Sequence, residues 1–251
     1  MSKVKIIAVA NHKGGVGKTT TVASVSSILA SVGKRVLMID LDPQANLTAS
    51  FMTQDPETTI YDSLVSPTPV SLPVFHLTDN LDIVPASESL AMADIQLSAR
   101  MARETLLKKL LQPVESDYDY IFIDCPPSLS LLPLNAFTAC NGIIIPIVAE
   151  VLPFKGLVMI EQFIKSVHEN LNPSAEIKGV LITRWEGTKL SRQIEEGLRS
   201  KLGNLVFNTK IRKNVSIAEA PLTAKNIVAY APKSNGAVDY VSFTKELMNI
   251  L

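Results

Sequence analysis

Apolar residues fall in short, nearly unbroken runs along this chain, separated by stretches with helical spacing. The runs Lys5–Ala10, Arg35–Asp40, Tyr120–Asp124, Gly142–Val148 and Ile177–Thr183 are short, β-rich and bounded by loops. Continuous rather than alternating hydrophobicity predicts strands covered on both faces, as in a parallel sheet. Helical patterns lie between them and predict helices over Thr20–Ser31, Leu90–Leu111, Leu129–Cys140, Lys155–Leu171 and Lys189–Leu202. Strand and helix alternate, so the expected fold is α/β: a doubly wound, mainly parallel sheet flanked by helices. Three prolines within Ser66–Pro73 predict a surface loop, since none could serve a central strand. Val238, Val241, Leu247, Met248 and Leu251 suit an ordinary packed terminal helix. No repeat or interdomain linker interrupts the pattern, which is read as a single domain over residues 1–251.

Composition narrows the class. At 251 residues and 47% hydrophobic, the chain can bury one substantial α/β core. The first apolar run is too short for a signal peptide, and the run Ile143–Phe154 is broken by Pro146, Glu150 and Pro153. Cys125 and Cys140 are too few for a disulfide framework, and His12, His76 and His168 lack ligand spacing. A reduced, cytoplasmic protein is expected. Net charge is zero, yet residues 178–251 hold 12 Lys/Arg against 6 Asp/Glu, while residues 1–177 hold 12 against 18. Such asymmetry can mark a surface for polyanions.

The most specific segment is Asn11-His12-Lys13-Gly14-Gly15-Val16-Gly17-Lys18-Thr19-Thr20, set between the first strand and first helix. Strand, glycine loop and helix N-terminus together aim backbone N–H groups at a phosphate chain. Gly14, Gly15 and Gly17 let the backbone approach closely. Lys18 is placed to reach β/γ-phosphates, and the Thr19 hydroxyl to ligate Mg²⁺. The ordinary loop has glycine where His12 stands, and a second lysine, Lys13, precedes the glycine pair.

Two further strands end in acids, Asp40 (followed by Leu41-Asp42-Pro43-Gln44) and Asp124 (followed by Cys125-Pro126-Pro127-Ser128). Ligands of open α/β sheets sit beyond these strand ends. Mg²⁺ keeps several waters and needs only one or two carboxylates, so Asp124 fits the role of holding a magnesium-bound water opposite Thr19. Cys125 reads as a small packing residue.

These motifs resemble the ParA/MinD superfamily of P-loop ATPases with a deviant Walker A box, and nearly the whole chain is similar to its short, Soj-like ParA members. Leu81–Ala86, Asn214–Pro221 and Pro232–Ala237 resemble further segments of that family. The resemblance implies Mg²⁺-dependent hydrolysis of ATP to ADP by a homodimer bridged by ATP. It places Lys13, Gly14, Gly15, Val16, Gly17, Lys18, Thr19, Thr20 and Asn214 on the nucleotide, with Lys13 reaching the partner's phosphates. Asp42 would activate the attacking water, and Asp40 would support the metal shell held by Thr19 and Asp124. It implies non-specific DNA binding, with Arg184, Lys189, Arg192, Lys210, Arg212 and Lys213 as candidate phosphate contacts, a ParB-like centromere-binding partner, and a nucleoid-associated protein in the cytoplasm. With the first strand expected from residue 5, the helix-turn-helix domain of longer plasmid relatives is not expected here. Two alternatives share the boxes: a MinD-like membrane ATPase and a metal-cluster carrier or reductase-like protein. Residues Val238 to Leu251 carry one lysine, Lys245, against the basic face that lipid binding wants, and the cysteines lack paired spacing.

The chain departs from the family at two places. Relatives commonly have Ile-Pro-Arg-Asn where Ile211-Arg212-Lys213-Asn214 stands here, and many carry Gly-Asn after the glutamine where this chain has Ala45-Asn46.

Overall fold

A computed structural model describes residues 4–68, 70–150, 153–223 and 225–251. Strands β1 (Lys5–Val9), β2 (Val36–Asp40), β3 (Phe75–Thr78), β4 (Leu81–Val84), β5 (Tyr120–Asp124), β6 (Gly142–Val148), β7 (Ile177–Trp185) and β8 (Val206–Arg212) form one sheet in the order β3-β4-β2-β5-β1-β6-β7-β8. Each neighbouring pair is parallel except β3 with β4. The helices are α1 (Lys18–Ser31), α2 (Asn46–Ala49), α3 (Ile60–Val65), α4 (Ala93–Gln96), α5 (Leu106–Leu111), α6 (Leu131–Ala139), α7 (Pro153–Asn170), α8 (Lys189–Leu202), α9 (Val215–Glu219), α10 (Ile227–Tyr230) and α11 (Asn235–Met248).

Alternate residues of the central strands feed two separate cores, as both faces of the sheet are covered. Ile6 and Ala8 of β1 join a cluster with Leu107, Phe137, Ile160 and Leu198 from α5 to α8. Ile7 and Val9 join the opposite cluster with Val22, Leu29, Tyr240 and Phe243 from α1 and α11. Parallel pairing brings the strand ends that carry chemistry to one edge: Asp40 and Val9 both lie in register with Asp124.

The expected doubly wound sheet is present, and several boundaries differ. The expected helix Leu90–Leu111 is broken into 3₁₀ turns at Glu88–Met92 and Arg103–Thr105, with α4 and α5 as its only α-helical parts. Tertiary bonds override its periodicity. Ala102 is left-handed, and Asn135 of α6 accepts from Leu107 N and donates to Arg103 O, starting α5 afresh. In α11 the buried stripe runs through Ala237, Tyr240, Phe243, Thr244 and Leu247, while Val238 and Met248 are exposed. The aromatics rather than the valines set that face. Residues 66–68 and 70–73 form no helix or strand, as expected of a loop; Pro69 and, in the run Ile143–Phe154, Val151 and Leu152 lie outside the described residues. Among the described residues no helix is long and apolar enough to cross a membrane.

The edge strand β8 had not been anticipated, and its outer backbone is managed by a side chain. Glu246 of α11 accepts from Asn208 N at 2.7 Å and from Thr209 N at 2.9 Å. Burial would raise this acid, but the bonds from Thr209 and Asn208 outweigh it and hold its pKa below the ordinary value. A depressed carboxylate contributes stability above its unfolded pKa that is lost as pH falls through the folded one. Glu246→Gln is therefore expected to cost about 1–2 kcal/mol at pH 7. Urea melts should show that gap closing once the medium is acidic enough to protonate the native carboxyl.

Candidate nucleotide site

The loop between β1 and α1 is shaped by backbone requirements first. Gly15 and Gly17 have φ of 70° and 88°, where a Cβ would be strained. Asn11 fixes the loop's entrance, donating from Nδ2 to Pro146 O (2.7 Å) and accepting from Lys13 N (3.1 Å). His12 replaces the usual glycine, and its ring lies against Gly156, leaving no room there for a side chain. Lys18 is 6% exposed and its ammonium folds back to donate to Lys13 O at 3.4 Å, spanning the loop. A cleft beside α1 is lined by Thr19, Thr20, Ala23, Phe51, Ile217 and Pro221, next to the same hydroxyls.

Asp124 is the anomaly of the site. It is fully buried, and neither carboxylate oxygen has a hydrogen-bond partner. Burial pushes its pKa well up and the charge of Asp40 adds to this; the Thr19 hydroxyl and Lys18 ammonium pull the other way without compensating. A buried acid with both oxygens unpartnered beside a threonine hydroxyl has the donor chemistry to hold a cation. Cys125 beside it is buried, and desolvation with the Asp124 charge pushes its thiol far up, so packing is its role.

Asp40, unlike Asp124, is held by the chain around it. Its Oδ2 accepts from Thr48 N and Thr48 Oγ1, both at 2.8 Å, and its Oδ1 accepts from Asp42 N at 3.2 Å. Thr48 Oγ1 accepts in turn from Ala86 N. With both oxygens engaged by the chain, Asp40 anchors α2 and, through Thr48, the segment that follows β4. Its pKa is raised to about 6, because burial outweighs those bonds. Asp42 is 7% exposed; one oxygen accepts from Gln44 N at 3.0 Å, leaving the other free.

Between Asp42 and α2, Ala45 sits at φ 50°, the left-handed region that glycine occupies without cost. Ala45→Gly is expected to raise stability by about 0.5–1 kcal/mol, relief of strain exceeding the added chain entropy. A thermal melt reads it directly.

The remaining expected residues are distributed unevenly. Lys13 is half exposed and pairs with Glu150 at 3.0 Å; Arg184, itself left-handed, lies 3.9 Å from the other Glu150 oxygen. Asn214 caps α9, its side chain accepting from Ser216 N. Lys210 is held by both oxygens of Glu195 and lies over the Trp185 ring, and Arg212 forms a bidentate pair with the buried Asp239. Lys213 pairs with Glu186. Lys189 and Arg192, in the first turn of α8, make no ion pair among the described residues. Thr48 and Glu150 were not legible as site residues, because their roles come from contacts across the fold.

Comparison with known proteins places the chain in a family. A family model described as an AAA domain matches residues 4–177. The sporulation initiation inhibitor protein Soj of Bacillus subtilis is 42% identical over 248 residues, covering 97% of this chain and 98% of Soj. The chain belongs to the ParA/Soj family. It is thus a P-loop ATPase of the partition class. The chromosome partitioning protein ParA of Myxococcus xanthus is 37% identical, covering 97% of this chain and 88% of that ParA. A crystal structure of cobyrinic acid a,c-diamide synthase from Mycobacterium smegmatis with bound ADP and magnesium superimposes with a TM-score of 0.84 at 33% identity, covering 98% and 94% of the two chains. ParA/Soj membership and the orphaned Asp124 point to the same chemistry.

Proposed function

We propose that this ParA/Soj protein is an ATP-driven DNA-partition switch in which ATP and Mg²⁺ bridge two copies of the chain. The observation that carries this is the buried, unpartnered Asp124 beside Lys18 and Thr19, behind a loop whose second lysine is half exposed and paired with Glu150. Gly14 to Thr20 would enclose the phosphates, and Thr19 with Asp124 would hold the metal. When bound, Mg²⁺ supplies charge neutralisation at the β- and γ-phosphates. Lys18 adds a positive charge from the same subunit. Lys13, tied to Glu150 only through a half-exposed pair of small worth, is free to exchange that partner for the second copy's phosphates. Asp42 orients the water that attacks the γ-phosphorus, giving ADP and phosphate. Asp40 holds the segment carrying Asp42 in place.

The dimer would bind DNA through backbone phosphates, without base readout. Lys189 and Arg192 are the leading contacts, with Arg184 and Lys213 reached through exchangeable surface pairs. Lys210 and Arg212 serve the fold instead, because their partners are Glu195 and Asp239 inside the same chain. Two half-patches joined in a dimer account for binding by a chain of zero net charge. A ParB-like protein that stimulates hydrolysis and a nucleoid location in the cytoplasm follow from the same reading.

Size-exclusion chromatography with light scattering tests it. ATP with Mg²⁺ should double the mass, ADP should not, and DNA should co-elute only with the ATP form, dissociating as salt rises. Equal DNA affinity with ATP, ADP and no nucleotide would remove the switch.

A further inference from the structure

Two consecutive backbone carbonyls of the phosphate loop are each held by a threonine hydroxyl, one on β7 and one in α1. Thr183, near the end of β7, donates from Oγ1 to Val16 O at 2.8 Å, with Ile147 O a longer second acceptor at 3.3 Å. One peptide further on, Gly17 O accepts from Thr21 Oγ1 at 2.7 Å and from Thr21 N at 2.9 Å. The hydroxyl proton of Thr21 is thereby spent, so Tyr240 of α11, 3.3 Å away, is the donor to Thr21 Oγ1. Val16, Thr21, Thr183 and Tyr240 are all buried. The Thr183 methyl and the Tyr240 hydroxyl are also the atoms a Cβ on Gly17 would meet, at 3.6 and 3.9 Å.

In a trans peptide the C=O and N–H point in opposite directions. A Val16 carbonyl drawn down onto Thr183 therefore turns the Gly17 N–H up, away from the protein, and the Gly17 carbonyl does the same for Lys18 N–H. We infer that Thr183 is a positioning residue for nucleotide binding: its hydroxyl aims the Gly17 amide at the phosphates, with the Thr21–Tyr240 pair doing so for Lys18. This rests on the reading of the loop as the nucleotide site. Without the Thr183 proton, the Val16 carbonyl is buried unpaired, and an unpaired buried acceptor costs its full desolvation, more than the net worth of the bond it lost. Glycine at position 17 lets that peptide rotate to find another partner, which swings its N–H out of the cradle.

The experiment compares Thr183→Val, which keeps the shape and loses the donor, with Thr183→Ser, which keeps the donor. Dissociation constants for ADP, inorganic pyrophosphate and adenosine are measured with Mg²⁺ by displacement of a fluorescent ADP. Thr183→Val is expected to weaken ADP and pyrophosphate about tenfold and to leave adenosine within about twofold, the fold-change that one buried hydrogen bond carries. Thr183→Ser should recover most of that loss. Unchanged ADP affinity in Thr183→Val would overturn the inference. So would equal losses for adenosine and ADP, which mark a general loosening, or a serine variant as weak as the valine one. A parent protein that binds no ADP would instead overturn the nucleotide reading beneath it.

Discussion

Replacing Asp42 by alanine is expected to slow ATP hydrolysis about 100-fold or more while ATP remains bound, because a positioned carboxylate acting on the attacking water contributes factors of that size. The phosphate contacts come from elsewhere. Lys18 and the amides of residues 14–20 do not depend on the Asp42 carboxylate, whose hydrogen bond among the described residues comes from Gln44 N. Asp42 is nearly buried with one oxygen unengaged, as a group that must hold one water would be. Removing it should trap the ATP-bridged dimer, so light scattering should report a persistent doubled mass and DNA should remain bound for as long as ATP is supplied. Phosphate release at the parental rate would show that another group handles the water. A lone protomer at saturating ATP would be the graver result, since the bridge itself would then be absent.

How much of this was readable before the fold was known depends on the range of the interaction. The loop Lys13–Thr20 and the acids at strand ends were legible because their meaning is local: glycines at positive φ, a lysine at the helix start, a carboxylate where a buried strand stops. The parallel sheet was legible for the same reason, its central strands being apolar on both faces. Edge strands were not. The β8 run, Val206 to Arg212, carries Asn208, Thr209 and Lys210 in its middle and is completed by Glu246, far along the chain. Asp40 and Asp124 read alike because each is the last residue of its strand, β2 and β5. The bonds from Thr48 and from Asp42 N separate them, and the spacing Asp40 to Thr48 has no motif. The basic C-terminal third likewise read as one patch, although Glu195 and Asp239 already claim Lys210 and Arg212. Charge counted along a sequence does not reveal which charges the fold has already paired.

That difference between the two acids has a measurable consequence. Asp124→Asn is expected to stabilise the protein in the absence of nucleotide and metal, by about 1–3 kcal/mol, while reducing hydrolysis at least as severely as the loss of Asp42. The parent keeps a carboxylate with two unpaired oxygens wholly buried next to Asp40, and the Lys18 and Thr19 contributions do not offset its desolvation. A neutral amide of the same shape removes the charge and relieves Asp40 as well. Addition of ADP with Mg²⁺ should reverse the order. The parent gains stability by binding in proportion to ligand over dissociation constant, whereas the asparagine variant lacks the anionic oxygen that would hold the metal and gains less. Thermal melts of both proteins, with and without Mg²⁺–ADP, read both halves. Asp40→Asn should behave oppositely: its oxygens hold Thr48 and Asp42 N, so exchanging one acceptor for a donor breaks the anchor of α2 and lowers stability with or without ligand. If Asp124→Asn melted below the parent in the absence of ligand, the carboxylate would have to be held by something other than a metal, and the assignment of the cation site to Asp124 and Thr19 would fall.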